Sequence, residues 1–129
     1  MNNIRILIVD DEPAISAVIA LKLRHAGYTP VCAQDAEEAV REVRRQTFAL
    51  AIIDLHLPRV SGLQLCGRLL AEKRGLRVPV LVITGAAAAA PEVMTFSNIR
   101  GIIAKPFSPR DLIDRVRAVI GEVPVDADA

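Results

Sequence analysis

Three observations in the amino-acid sequence predict an α/β fold, a doubly wound sheet of five parallel strands. Short β-branched runs alternate with segments of helical period along the chain. Several of those runs are apolar at successive positions, as strands of a parallel sheet covered on both faces must be. The 129 residues are too few for a closed barrel and suit one open sheet with right-handed crossovers.

Strands are expected at 4–9, 29–32, 50–53, 78–83 and 101–104. The first helix starts at Pro13, a residue suited to the first helical position, and buries Ile15, Val18, Ile19 and Leu23. It stops at Gly27, where a left-handed cap is natural. The second helix opens with Asp35 and Glu38 at capping-box spacing and turns Ala39, Val40 and Val43 inward. The third spans 61–73, with Leu65, Cys66 and Leu69 inward. A fourth helical segment at 91–98 has room for about two turns before Arg100 and Gly101 break it. The last helix has Ser108 as N-cap, Pro109 next and Asp111 in its first turn, with Leu112, Ile113, Val116 and Ile120 inward. Residues 122–129 lack periodicity and read as a tail or linker stub, which leaves 1–121 as one domain.

Composition narrows the function. Aromatic residues are 3% of the chain and Trp is absent, so stacking platforms for single-stranded nucleic acid can hardly be built. The net charge of +1 gives no field to draw the domain onto DNA or an anionic membrane. The longest uncharged stretch, 78–91, is well short of the ~20 apolar residues of a membrane helix. The N-terminal apolar run ends in acids and does not read as a secretory signal. Two distant cysteines, Cys32 and Cys66, form no disulfide framework or metal knuckle and are expected to be core residues in a reducing cytoplasm.

In open α/β sheets the ligand crevice lies outside the carboxyl ends of the strands. At those ends stand Asp10, Asp11 and Glu12 after strand one, Asp54 after strand three, Thr84 after strand four, and Lys105 after strand five. Any one of these alone is most simply a cap, turn or solvated residue; together at four strand ends they point to a site. Converging carboxylates raise one another's pKa values, and a hard divalent cation such as Mg²⁺ relieves the repulsion with oxygen ligands. Such a cation can take an oxygen of an incoming phosphoryl group, while Lys105 and Thr84 hold the others. A carboxylate can serve as the nucleophile and form an acyl phosphate. The residues therefore suggest phosphoryl transfer onto Asp54 with Mg²⁺ (or Mn²⁺). A haloacid-dehalogenase-like phosphatase would need a second Asp at the position of His56. A dinucleotide site would need a glycine-rich turn where the acids stand.

These residues, Asp10 and Asp11 after ILIV, Asp54 within IIDLHLPRVSG, Thr84 within LVITG and Lys105 within AKPF, make residues 3–121 resemble a receiver domain of a two-component response regulator. The resemblance implies a flavodoxin-like (βα)5 fold with strand order 2-1-3-4-5. It implies that Asp54 accepts a phosphoryl group from a phosphohistidine on a histidine kinase or phosphotransfer protein. Asp11, Asp54 and the backbone carbonyl of His56 would bind Mg²⁺ directly, and Asp10 largely through water. Pro106 would follow a cis peptide bond, and Pro58 and Gly62 would form the turn after strand three. The phosphorylated domain would signal to a protein target through the fourth helix, the fifth strand and the last helix, which also offer a homodimer surface. A phosphate relay or sink, a phosphorylation-independent interaction module, and a receiver taken from a larger protein are the alternatives.

The chain departs from that family at Ile102, where receivers usually carry Tyr or Phe as a switch residue beside Thr84. Ile102 either packs on the edge strand or joins a smooth apolar docking face. The run of five alanines at 86–90 follows Thr84, and it is expected to order when Thr84 is recruited. Ala86 stands at a place that affects autodephosphorylation in the family and offers no polar group to orient a water, so the resemblance implies no fast hydrolysis. His56, two residues beyond Asp54, either blocks or positions that water. On the first helix, Leu21 lies off the inner face beside Ala14 and Ala17, where receivers generally meet the kinase. His25 reads as a solvated residue favourable to the helix end.

Overall fold

The structure is a computed structural model that describes residues 4–72, 78–85 and 96–121. The expectations for residues 86–90, 91–95 and 122–129, and for the end of the third helix at Lys73, lie outside these residues. Five strands, β1 (Arg5–Val9), β2 (Thr29–Ala33), β3 (Leu50–Asp54), β4 (Val80–Thr84) and β5 (Ile99–Ala104), form one sheet. All four pairings are parallel and the order is β2-β1-β3-β4-β5, as the sequence implied.

Side chains alternate across the sheet and feed two cores. Leu7, Val9, Ala51, Ile53, Val80 and Val82 pack with α2 (Ala36–Arg45) and α3 (Gly62–Ala71). Ile6, Ile8, Leu50, Ile52, Leu81 and Ile83 pack on the opposite face with α1 (Pro13–His25) and the last helix, α4 (Pro109–Ile120). The three central strands are buried nearly throughout, which explains their unbroken apolar runs. Each such Leu or Ile contributes about 1.5–3 kcal/mol on burial. The edge strands β2 and β5 each carry exposed positions, and Pro30 is tolerated because β2 has a neighbour on one side only.

The helix ends follow their local chemistry. Gly27 takes φ 97°, the Gly27 amide donates to Arg24 and the Tyr28 amide to Leu23, a Schellman closure of α1. The Asp35 carboxylate accepts from the Glu38 amide at 2.9 Å, and the Ser108 hydroxyl accepts from Asp111 at 3.0 Å. A full reciprocal box forms at α3, where Ser61 and Gln64 exchange bonds of 3.0 and 3.2 Å. The described part of α3 runs to Ala71, with Glu72 extended behind it.

Two core assignments, Val18 and Cys32, are corrected. Val18 is 50% exposed, and the buried stripe of α1 is Ser16, Ile19, Ala20 and Leu23. The stripe is rotated because Ser16, a polar residue, occupies an inward position and sets its hydroxyl 3.5 Å from the Asp10 carbonyl. Leu21 is 47% exposed, off the inner face as expected. Ile15 and Ile120 are half-buried at the margin of the core. Cys66 is buried as expected, but Cys32 is exposed because it sits on the outer strand β2. Among the described residues no helix is long and apolar enough to cross a membrane.

Candidate functional site

Strand register assembles the site. Val9 pairs with Ile53, so Asp10 and Asp54 leave the sheet side by side. Thr84 pairs with Ala104, and the Lys105 amide donates to the Thr84 carbonyl at 2.9 Å, which brings Lys105 over the same edge. Asp10, Asp54 and Thr84 are each 1% exposed. Asp11, Glu12 and His56 are exposed at the rim.

One oxygen from each of Asp10, Asp11, Glu12 and Asp54 lies within 4.8 Å of the others. The two Asp54 oxygens are both engaged: Oδ1 accepts from the His56 amide at 2.9 Å, and Oδ2 accepts from Lys105 Nζ at 2.8 Å. Asp10 Oδ1 accepts from the Glu12 amide at 2.9 Å. Asp10 Oδ2 is buried and has no hydrogen-bond partner among the described residues.

These contacts set the electrostatics. Burial pushes the Asp10 carboxyl above its ordinary value; the Glu12 amide opposes this, and the charge of Asp54 adds to it. Burial alone would lower Lys105, but its hydrogen bond to Asp54 and the surrounding carboxylates outweigh that and hold the ammonium above its usual range. A buried, unpartnered carboxylate oxygen is costly unless a positive group faces it. An all-oxygen donor set at this spacing fits a hard divalent cation.

The loop after β3 is tightly built. The Gly62 amide donates to the Leu55 carbonyl at 3.0 Å. A Cβ at Gly62 would lie 2.3 Å from the Asp54 carbonyl oxygen and 2.7 Å from Leu55 Cα; glycine is needed there for close backbone approach. Pro58 precedes Arg59, which takes φ 66° in a three-residue turn closed by the Val60 amide on the Pro58 carbonyl at 2.7 Å. The Lys105–Pro106 peptide is cis.

Ile102 stands apart from the carboxylates. It is half-buried in β5 and packs on the α2–α3 core, and its carbonyl accepts from Arg115 Nη2 at 3.0 Å. Gly101 makes room for that guanidinium, since a Cβ there would lie 2.7 Å from Arg115 Nη2. The Arg115 contact escaped sequence reasoning because no local pattern links α4 to the carbonyl of an edge strand. Glu12 was visible as an acid but carried no assigned role.

The profile of the response regulator receiver domain family matches residues 6–117. The DNA-binding dual master transcriptional regulator RpaA of Synechocystis is 35% identical over 123 residues, which cover 90% of this chain and 48% of that protein. The chain spans about half the length of the curated relatives it matches. A putative response regulator from Chloroflexus aurantiacus superposes with TM-score 0.85 at 30% identity, covering 93% of this chain and 99% of that one. The receiver domain of a sensor histidine kinase from Pseudomonas aeruginosa, solved with magnesium coordinated in its active-site cleft, gives TM-score 0.83 at 28% identity with the same coverages of 93% and 99%. The five-stranded parallel sheet, the acids and lysine gathered at its carboxyl edge, and these matches agree: the chain belongs to the response regulator receiver domain family of two-component systems.

Proposed function

We propose that this chain is a cytoplasmic phosphorylation switch in which Asp54 accepts a phosphoryl group from the phosphohistidine of a histidine kinase or phosphotransfer protein. Residues 1–121 form the receiver unit and 122–129 its tail. The observation that carries the reading is the setting of the Asp54 carboxylate, buried between the His56 amide and the Lys105 ammonium beside the unpartnered Asp10 oxygen. In the transfer, a carboxylate oxygen of Asp54 bonds to phosphorus as the donor N–P bond breaks, and the imidazole nitrogen keeps the electron pair. Lys105 exchanges its contact with the free carboxylate for one with a phosphoryl oxygen, and the Thr84 hydroxyl takes another. Asp11, Asp54 and the His56 carbonyl would hold Mg²⁺ or Mn²⁺, with Asp10 acting largely through water. When bound, the cation would supply neutralisation of charge on the phosphoryl group. The magnesium coordinated in the active-site cleft of the Pseudomonas receiver supports a cation at this edge of the sheet. Catalysis is confined to the domain's own phosphorylation and dephosphorylation.

The kinase meets α1, where Val18 and Leu21 are half-exposed beside an apolar groove of about 410 Å³ lined by Ile15, Val18 and Phe107 among others. The output surface includes β5 and α4, and serves a protein target or a second copy. With Ile102 in place of an aromatic residue, recruitment of Thr84 is read out there by an aliphatic side chain, which is stiff at χ1.

The test is intact mass after incubation with acetyl phosphate, with and without Mg²⁺, beside Asp54→Asn. A gain of one phosphoryl group that needs both the cation and Asp54 is expected. Phosphorylation of Asp54→Asn, or none in the wild type, would overturn the reading.

A further inference from the structure

Glu12 has no part in the roles assigned above, yet the structure places it with them. It is the N-cap of α1, where a side chain ordinarily accepts from the first turn, and its carboxylate makes no capping bond. Its backbone carbonyl does that work, accepting from the Ile15 and Ser16 amides at 3.0 and 3.1 Å. Its own amide is tied to Asp10 Oδ1 at 2.9 Å. One Glu12 oxygen is grouped within 4.8 Å of oxygens from Asp10, Asp11 and Asp54. The independent sign that this group faces a positive ligand is Asp10 Oδ2, buried and without a partner among the described residues.

We propose that Glu12 is a fourth carboxylate ligand of the cation site, a rim ligand that holds the divalent ion before any phosphoryl group arrives. The inference rests on the cation-assisted reading above. Oxygens already grouped within 4.8 Å of one another would need only small side-chain shifts to hold a small, hard divalent cation with oxygen ligands. Four carboxylates against the single ammonium of Lys105 leave an excess of negative charge that a divalent ion offsets. Glu12 is exposed while Asp10 and Asp54 are buried, so it is the member free to swing away. Its departure would leave room beside the cation for a phosphoryl oxygen. Glu12 thereby sets how tightly the resting domain holds its cation, and it competes with the phosphoryl donor for the same position.

The experiment is Mn²⁺ binding by the free-ion electron paramagnetic resonance signal, with Mg²⁺ as competitor, on the full chain. Glu12→Gln keeps the side-chain size, and Glu12→Ser removes the charge while supplying a good helix cap, so at least one variant folds. Glu72→Gln is the control, because Glu72 follows the C-terminus of α3, at the opposite end of the sheet from the site. Both Glu12 variants are expected to bind Mn²⁺ and Mg²⁺ roughly tenfold more weakly, and the control to change by less than about twofold. Wild-type affinity in folded Glu12 variants would overturn the inference and leave the cation reading standing. A wild-type chain with no saturable binding would overturn both.

Discussion

Replacing Gly62 by alanine tests how closely the start of α3 is pressed against the phosphoacceptor strand. The added Cβ would sit 2.3 Å from the Asp54 carbonyl oxygen, 2.7 Å from Leu55 Cα and 2.9 Å from the Asp54 carbonyl carbon. All three are backbone atoms, so no rotamer change relieves the clash. Restoring ordinary contact requires the helix start and the strand end to part by about 1 Å, against the 3.0 Å bond from the Gly62 amide to Leu55. Overpacking of this kind costs about 1–3 kcal/mol. Alanine's better helix propensity returns less than about 1 kcal/mol, because Gly62 opens the helix. A net loss of about 2 kcal/mol is expected, seen as a urea midpoint lowered by about 1 M. The displacement falls on the peptide of Asp54 itself, so phosphorylation by acetyl phosphate slows by roughly tenfold or more. Gly67→Ala, in the same helix, meets only the ring edge of Phe96 at 3.3 and 3.4 Å. There the propensity gain of up to about 1 kcal/mol prevails. The reasoning is refuted if Gly62→Ala is as stable as the wild type and is labelled as fast, or if the two alanines shift stability in the same direction.

The remaining predictions concern single groups. Because the Asp10 carboxyl is held above its ordinary pKa by burial and by Asp54, folding favours its protonated form, and that contribution is lost as pH rises through the folded value. Asp10→Asn is therefore expected to melt a few degrees higher than the wild type at pH 7 in metal-free buffer, with the gap narrowing as pH falls; a constant gap would count against this origin. Arg59→Gly relieves the φ of 66° and is expected to stabilise the fold by about 0.5–1 kcal/mol, read from denaturant unfolding. Burial pushes the Cys66 thiol up to about 12, while Cys32 is exposed. A thiol reagent at neutral pH should titrate one cysteine in the native protein and two in urea, and peptide mapping should find Cys32 as the native one.

Much of this protein is written locally. The β-branched runs, Pro13 and Gly27 around α1, and Ser108 with Pro109 at α4 act through neighbours within a turn, so the five strands and four described helices are legible without any tertiary contact. The Ser61–Gln64 box is equally local, written in Ser-x-x-Gln at the start of α3. The residues of the site stand at strand ends, where the topology rule places a crevice, so Asp54, Asp10, Asp11, Thr84 and Lys105 could be singled out before their distances were known.

Distances and facing belong to the tertiary structure. The register of β1 on β3 brings Asp10 beside Asp54, and the β4–β5 pairing carries Lys105 to within 2.8 Å of a carboxylate 51 residues earlier. Such registers are chosen by the summed burial of whole strands, which no short window contains. The same holds for Val18, whose apolar character suits the core although packing turns the stripe toward Ser16. Local propensity chooses an element from a few bonds within the segment. Which residues meet across elements is decided by the one arrangement that buries both faces of the sheet at once.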